Sequence, residues 1–354
     1  MAPTELTLEL RPSARFDVID VAARTRDQFG DVLDRYRKAF YCSYHTTAGY
    51  LEQSLCARLG YQRDRLDPFI RAVQKIFPPD AGYRHDQMEL RDELTDEQKR
   101  VEPRNADSHL TFIGSGLRNC VAYTNQPRTP VYFMELDGVF EGRVRTRRTS
   151  ILAYDREEVV HTERCQVPVS RHPINSVNLA DADTGLLDQI DTLLERHPVV
   201  KGRVEISLDP EDRDAALTVN EYETMLMRHD LTEVLKDPLR FMAQRGRSIL
   251  RDPRAIPFKS LEYAKYDVVR VLNEIIDSLG LSESALERLL GRAMGFPARR
   301  FLRLKRSVSL PISNADGRSP GKVVRGTYQS PILIQWHRAP GGTRTVDVTL
   351  REFA

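Results

Sequence analysis

The order strand, helix, strand, helix, closing strands runs twice through this chain of 354 residues. A repeat of that size constrains the fold more than any single motif does. In the first pass Leu6, Leu8 and Leu10 alternate with Thr7 and Glu9, the period of a strand with one buried face. Residues 15–19 read as a second short strand. From 21 to 38, Val21, Phe29, Val32, Leu33 and Tyr36 stand among charges and predict an amphipathic helix. Residues 40–44 are aromatic and compact, a buried strand leading into His45. Residues 55–77 predict a helix that Pro78-Pro79 ends. Residues 87–104 are polar enough to read as an exposed excursion, loop or short helix, and strands return at 119–124, 131–136 and 147–154.

Charges and prolines break the pattern between 155 and 172, which places a boundary between domains 1–160 and 161–354. The second pass has a helix at 186–194, a strand at 203–208 and a helix at 222–236 with Pro238 just beyond. A helical insertion of about 240–300 follows, with helices at 261–280 and 284–291. The second of these opens on a capping box, Ser284-Ala285-Leu286-Glu287. The end is all strand: 307–312, 322–325, 332–336 and 345–350, with Gly341-Gly342 turning the last pair. Consecutive strands without helical crossovers point to an α+β fold of mostly antiparallel sheets with flanking helices, and away from a Rossmann arrangement.

Hydrophobic residues make up 40% and charged residues 29%, enough apolar material for two ordinary cores. Lys+Arg 53 against Asp+Glu 51 leaves +2, which gives no pull toward a membrane or toward dedicated nucleic-acid binding. No apolar run approaches a membrane span, and Met1-Ala2-Pro3-Thr4-Glu5 is no signal peptide, so a cytoplasmic location is expected. Cys42, Cys56, Cys120 and Cys165 lack CxxC spacing and read as free thiols packed as small hydrophobes.

The residues with chemistry divide between the halves. The first half carries His45-Thr46-Thr47-Ala48-Gly49, Tyr83-Arg84-His85-Asp86 and Asp107-Ser108-His109-Leu110. Three histidines can hold a divalent metal, zinc first, and leave a position open; each is equally an ordinary core or surface residue. His85 beside Asp86, in a turn rich in Pro and Gly, is expected at a pocket mouth. The second half carries Asn220-Glu221 where a strand meets a helix. That carboxylate suits a general base, and the pair equally suits a helix N-terminus. Gln329, after Gly326-Thr327-Tyr328, can orient a substrate by accepting and donating at once, or stand as a polar residue at a strand edge. Arg143, Arg145, Arg147 and Arg148 alternate along a hairpin and can present guanidinium groups to a phosphate or form a solvated face. The basic run from Arg299 to Arg306 interleaves Phe301, Leu302 and Leu304 but has no stacking platform for nucleic acid.

The three histidine motifs, in that order and roughly at those distances, resemble the YjbQ family, small one-domain proteins described as secondary thiamine-phosphate synthases. The second half resembles the same family through Ala216-Leu217-Thr218-Val219-Asn220-Glu221, Gly326-Thr327-Tyr328-Gln329 and Gly341-Gly342-Thr343-Arg344. Each copy lacks what the other keeps: Gln53-Ser54 stands where Asn-Glu is expected, and Asp212 falls near the position of the first histidine. The resemblance implies two tandem copies with a composite site. In it His45, His85 and His109 hold the metal, Glu221, Asn220, Gln329 and Asp86 act in catalysis, and Arg148, Arg344 and Thr46 bind the substrate. It further implies a small, phosphorylated substrate, a homo-oligomer with a trimer-like arrangement of domains, and thiamine-phosphate synthase-like chemistry. Decay of both copies into a non-catalytic binding or assembly protein is the alternative.

Overall fold

A computed structural model describes residues 1–236, 303–314 and 320–354. The helices expected at 261–280 and 284–291, with Arg299 and Arg300, lie outside the described residues. The chain forms two compact units. Unit 1 takes residues 1–53, 116–222 and 304–354; unit 2 takes 54–115 and 223–303. The halves expected at 1–160 and 161–354 thus each contribute to both units.

Unit 1 carries all the described strands, and they run antiparallel wherever they pair. One sheet has the order β1 (Thr4–Leu10), β9 (Arg147–Tyr154), β3 (Lys38–Ser43), β5 (Cys120–Thr124). A second has the order β10 (Glu157–Pro168), β17 (Thr343–Phe353), β12 (Gly202–Leu208), β14 (Ser307–Ser313), and adds β15 (Lys322–Val323) at its edge. In chain order these are the same positions: opening strand, closing strand, and the two strands that flank the motif region. Two smaller sheets repeat the correspondence. β2 (Asp17–Asp20), β6 (Tyr132–Glu135) and β4 (Ala48–Tyr50) match β11 (Asn175–Asn178), β16 (Ser330–Gln335) and β13 (Ala215–Asn220). A two-stranded ribbon, β7 (Val139–Phe140) and β8 (Arg143–Val144), completes the set. The fold is α+β with mostly antiparallel sheets, as the closing strands foretold.

One core cluster of unit 1 forms where α6 (Leu186–Arg196) brings Leu186, Ile190, Leu193 and Leu194 together with Val204, Ile206, Leu310 and Val348. A second cluster gathers Phe40, Cys42, Cys120, Leu152 and Tyr154 around Phe353. Tyr154 and Phe353 stack at 4.0 Å, and Phe40 meets Phe353 edge-on at 5.6 Å. Such aromatic pairs add about 0.5–1.5 kcal/mol beyond their area. All four cysteines are buried free thiols.

Several local expectations shift. The helix expected over 21–38 stops as α1 (Val21–Phe29), because Gly30 turns with φ 67 and caps it; residues 33–35 form one 3-10 turn. The break expected at 155–172 is largely the twelve-residue strand β10. It lies at a sheet edge, so its outward charges are those of an edge strand. In unit 2, the helix expected over 55–77 becomes α2 (Gln53–Arg58) and α3 (Arg63–Ile76), parted at Gly60 and Tyr61, both with positive φ. The polar stretch 87–104 does hold a short helix, as one of its two expected forms: α4 (Asp96–Val101), started by a Thr95–Gln98 capping box. It also buries Arg91. Helix α5 (Ala106–Ser115) is buried along its whole length and packs on α3. The helix expected over 222–236 begins as a π-helix, Met225–Asp230, and continues as α7 (Leu231–Lys236).

Candidate functional site

In unit 1 the loop after β3 presents His45, Thr46 and Thr47. Its backbone is held by side chains from the second half of the sequence. Gln329 Nε2 donates to the carbonyls of Ser43 (3.0 Å) and His45 (2.9 Å), and its Oε1 accepts from the Gly326 N–H at 3.0 Å. Asn220 Nδ2 donates to the Thr46 carbonyl at 2.9 Å. A Cβ on Gly326 would lie 2.0 Å from the Tyr44 carbonyl, so only glycine fits there. Asn220 and Gln329 are buried, and their amides clamp the histidine loop. Both act as positioning residues in this arrangement. Glu221 follows Asn220 at the end of β13 and donates its N–H to Asn220 Oδ1.

The His45 ring accepts the Arg148 N–H at Nε2, 2.8 Å away, and its Nδ1 lies 3.5 Å from Arg147 Nη1. Burial, then the neighbouring Arg147, Arg145 and Arg148, lower its pKa to about 3. The ring is neutral near pH 7. With Nε2 accepting, its one hydrogen belongs on Nδ1. Arg147 is buried and donates through Nε and Nη2 to Glu135 at 2.5 and 2.8 Å. Its Nη2 also reaches Thr47 Oγ1 and the Asp137 carbonyl, each at 3.2 Å. Burial pushes the Glu135 carboxyl up, and the Arg147 bonds pull against that. Arg145 pairs with Asp137 at 2.7 Å, while its Nε is buried without an acceptor among the described residues. Arg148 is exposed and lies over the Tyr44 ring at 4.7 Å; no carboxylate pairs with it among the described residues.

The second half repeats this constellation with different charges. Ala48 faces Glu135 across β4–β6, and Ala215 faces Gln335 across β13–β16. Three residues before each alanine stand His45 and Asp212. Arg344 is the counterpart of Arg147: it donates to the Gln335 side chain at 3.1 Å and to the His337 carbonyl at 2.5 Å. Its Nη1 is taken by both oxygens of Asp212, at 2.7 and 2.6 Å. Arg344, expected to meet a substrate phosphate, is instead buried against an internal carboxylate.

In unit 2 His85 is fully buried, not at a pocket mouth, because the turn that carries it is fastened on every side. Asp230 accepts the Arg84 and His85 N–H groups at 3.1 and 3.0 Å, and Asp86 accepts the Ala106 N–H at 3.0 Å. His85 Nδ1 donates to Glu223 at 2.8 Å, and its Nε2 lies 3.2 Å from Asn105 Oδ1. The His109 ring meets it edge-on at 5.3 Å. Glu223 also accepts the N–H groups of Met225 (2.6 Å) and Leu226 (2.7 Å), at the start of the π-helix. Burial raises its pKa, but the His85 and backbone bonds outweigh that and hold it at about 2.

His45 lies in unit 1, His85 and His109 in unit 2. Among the described residues no three His, Cys, Asp or Glu side chains gather as metal ligands. His45 does not fit a zinc ligand, because its Nε2 lone pair holds an amide hydrogen and three arginines oppose a cation. Sequence reasoning missed Glu135, Glu223 and Asp230. A lone glutamate ending an apolar strand was a readable sign of a buried partner for Glu135; Glu223 and Asp230 gave none. A shallow groove opens beside Arg26, Asp34, Tyr41 and Tyr123 on unit 1 and contains none of these motifs. No described helix is long and apolar enough to cross a membrane.

No family model and no curated protein matches the sequence. Solved structures do align with part of it. A YbjQ-like protein of unknown function from Sulfolobus solfataricus P2 covers 56% of this chain and 99% of its own, at 17% identity and a TM-score of 0.29. A hypothetical protein from Aeropyrum pernix K1 covers 54% and 97%, at 16% identity and 0.27. An uncharacterised conserved protein of the yjbq/upf0047 family from Clostridium acetobutylicum covers 53% and 98%, at 12% identity and 0.26. At such TM-scores, fold and function rest on this chain's own geometry.

Proposed function

We propose that the chain is a tandem, YjbQ-like enzyme acting on a small, phosphorylated molecule, and that the anionic group of that molecule bridges His45 and Arg147. The supporting observation is a pair of donors that face each other. With Nε2 accepting the Arg148 N–H, the His45 hydrogen is on Nδ1, which faces the Arg147 Nη1 donor at 3.5 Å. Two donors at that distance call for a shared acceptor, and an oxyanion supplies one. Arg148, with no carboxylate partner among the described residues, adds charge at the same corner. The matching strand orders favour duplication. The clamping of the first-half loop by Asn220 and Gln329 favours a site that needs both copies. Glu221 is the candidate general base, and thiamine-phosphate synthesis is the reaction that the resemblance implies. A trimer-like assembly belongs to the same proposal, and light scattering on the purified chain tests it.

Titration calorimetry with inorganic phosphate, pyrophosphate and thiamine phosphate tests the site. A charge-assisted hydrogen bond contributes about 1.5–3 kcal/mol, so Arg148→Ala should weaken binding about 10- to 100-fold. Absence of binding by all three probes, or equal affinity in wild type, Arg148→Ala and His45→Ala, refutes the proposal.

A divalent metal, zinc first, is the second reading, and it belongs to His85 and His109. What favours it is Glu223 on His85 Nδ1, since carboxylates orient metal-bound histidines in this way. Metal analysis of the purified protein decides. Stoichiometric zinc lost in His85→Ala supports the reading, and metal-free protein with no zinc-induced thermal shift removes it.

A further inference from the structure

We propose that the second copy carries the same anion site in closed form: the Asp212 carboxylate sits where the first copy takes its ligand, so each chain binds one anionic ligand rather than two. The two arginines are placed alike, but their carboxylates come from different positions. In the first copy Glu135 satisfies Nε and Nη2 of Arg147 and leaves Nη1 facing His45. In the second copy residue 335 is a glutamine, which gives one acceptor to Nε of Arg344. Asp212 then covers Nη1 with both oxygens. Each arginine keeps one carboxylate; what changes is whether its outward nitrogen is available.

Asp212 covers that nitrogen from the solvent side. Its side chain is 15% exposed, against 5% for Arg344, so it occupies the approach that an external oxyanion would use. It is also held in place. The Asp214 N–H donates to its Oδ1 at 3.0 Å, and the Arg306 guanidinium donates to its main-chain carbonyl. A carboxylate that grips a guanidinium nitrogen with two oxygens imitates a phosphate or carboxylate ligand. The second copy therefore indicates what the first one binds, an oxyanion seated on Nη1.

The inference rests on reading His45 and Arg147 as a ligand site, yet one experiment separates the two. Titration of the full chain with inorganic phosphate should count one site in wild type and two in Asp212→Ala. The extra site should vanish in Asp212→Ala/Arg344→Met. Asp212→Asn, which keeps the side-chain volume, covers the case in which alanine unfolds the loop. In that variant phosphate should raise the melting temperature more than it does in wild type. If wild type binds none of inorganic phosphate, pyrophosphate and thiamine phosphate while Asp212→Ala binds one phosphate, the function proposed above fails and the closed site stands. If folded Asp212→Ala and Asp212→Asn bind as many phosphates as wild type, with no added thermal shift, the closed site is refuted.

Discussion

The two arginine constellations make a strong prediction about exchange of their charges. Glu135→Gln should copy the second-half pattern at residue 335 while leaving Arg147 without a carboxylate. Glu135 is fully buried and Arg147 nearly so, and two charge-assisted bonds at 2.5 and 2.8 Å join them. Breaking one partner of a buried pair costs about 3–5 kcal/mol. The glutamine keeps one acceptor, which puts the expected loss near the lower bound, about 3 kcal/mol. His45→Asp alone places a second carboxylate beside Glu135 and should also destabilise. Together the two substitutions rebuild the Arg344 arrangement, with a glutamine on Nε and an aspartate on Nη1. The double variant should therefore recover about 2 kcal/mol relative to the sum of the single effects, within the range for directly coupled residues. Urea unfolding followed by tryptophan fluorescence reads this directly, because Trp336 is the single tryptophan and lies beside Gln335 in unit 1. Losses that add to within about 0.5 kcal/mol would show that the two constellations are not equivalent.

Other outcomes follow from the same geometry. Gly326→Ala should cost about 1–3 kcal/mol, since the new Cβ meets the Tyr44 carbonyl at 2.0 Å and must move the Gln329 clamp; unchanged urea stability would contradict the contact. The unfolded His45 ring takes a proton below about pH 6.5, the folded ring only near pH 3. Acidification through that window favours unfolding, and His45→Asn should flatten the stability profile there. Glu223 runs over a different window: its contribution is complete above about pH 4.5 and is lost as pH falls toward 2. Glu223→Gln should remove that acid slope, as read by circular dichroism across a pH series, and a slope identical to wild type would remove Glu223 from the account.

Much of the framework was legible because period-2 patterns survive wherever one strand face is buried. The opening strand, the strands near 119–154 and the closing set all fall within a few residues of their expected places. What misled was charge on β10, where an edge strand looks like a linker. Helix lengths over 21–38 and 55–77 failed at Gly30 and at Gly60-Tyr61, where a left-handed turn breaks the periodicity without disturbing the apolar spacing. The motif residues were legible as a set, but their roles were not. Asn220 and Gln329 look like substrate-facing groups in sequence, yet their amides serve the backbone of residues 43–46, a partner that no spacing rule reveals. Arg147 was one of four similar arginines. Only the strand register turns it inward and leaves Arg148 outside.

The clamp on the histidine loop also orders events during synthesis. Gln329 reaches a carbonyl 286 residues earlier in the chain. Ribosomes add about 5–20 residues per second, so roughly 15–60 s separate the appearance of the loop from that of its fastener. Until then the carbonyls of Ser43 and His45 lack that clamp. A nascent chain therefore carries its histidine motif early but acquires the finished corner only when Gln329 and β16 arrive. Synthesis past Gln329 acts as a checkpoint on the site, and a fragment that stops short of it would display the motif without its geometry.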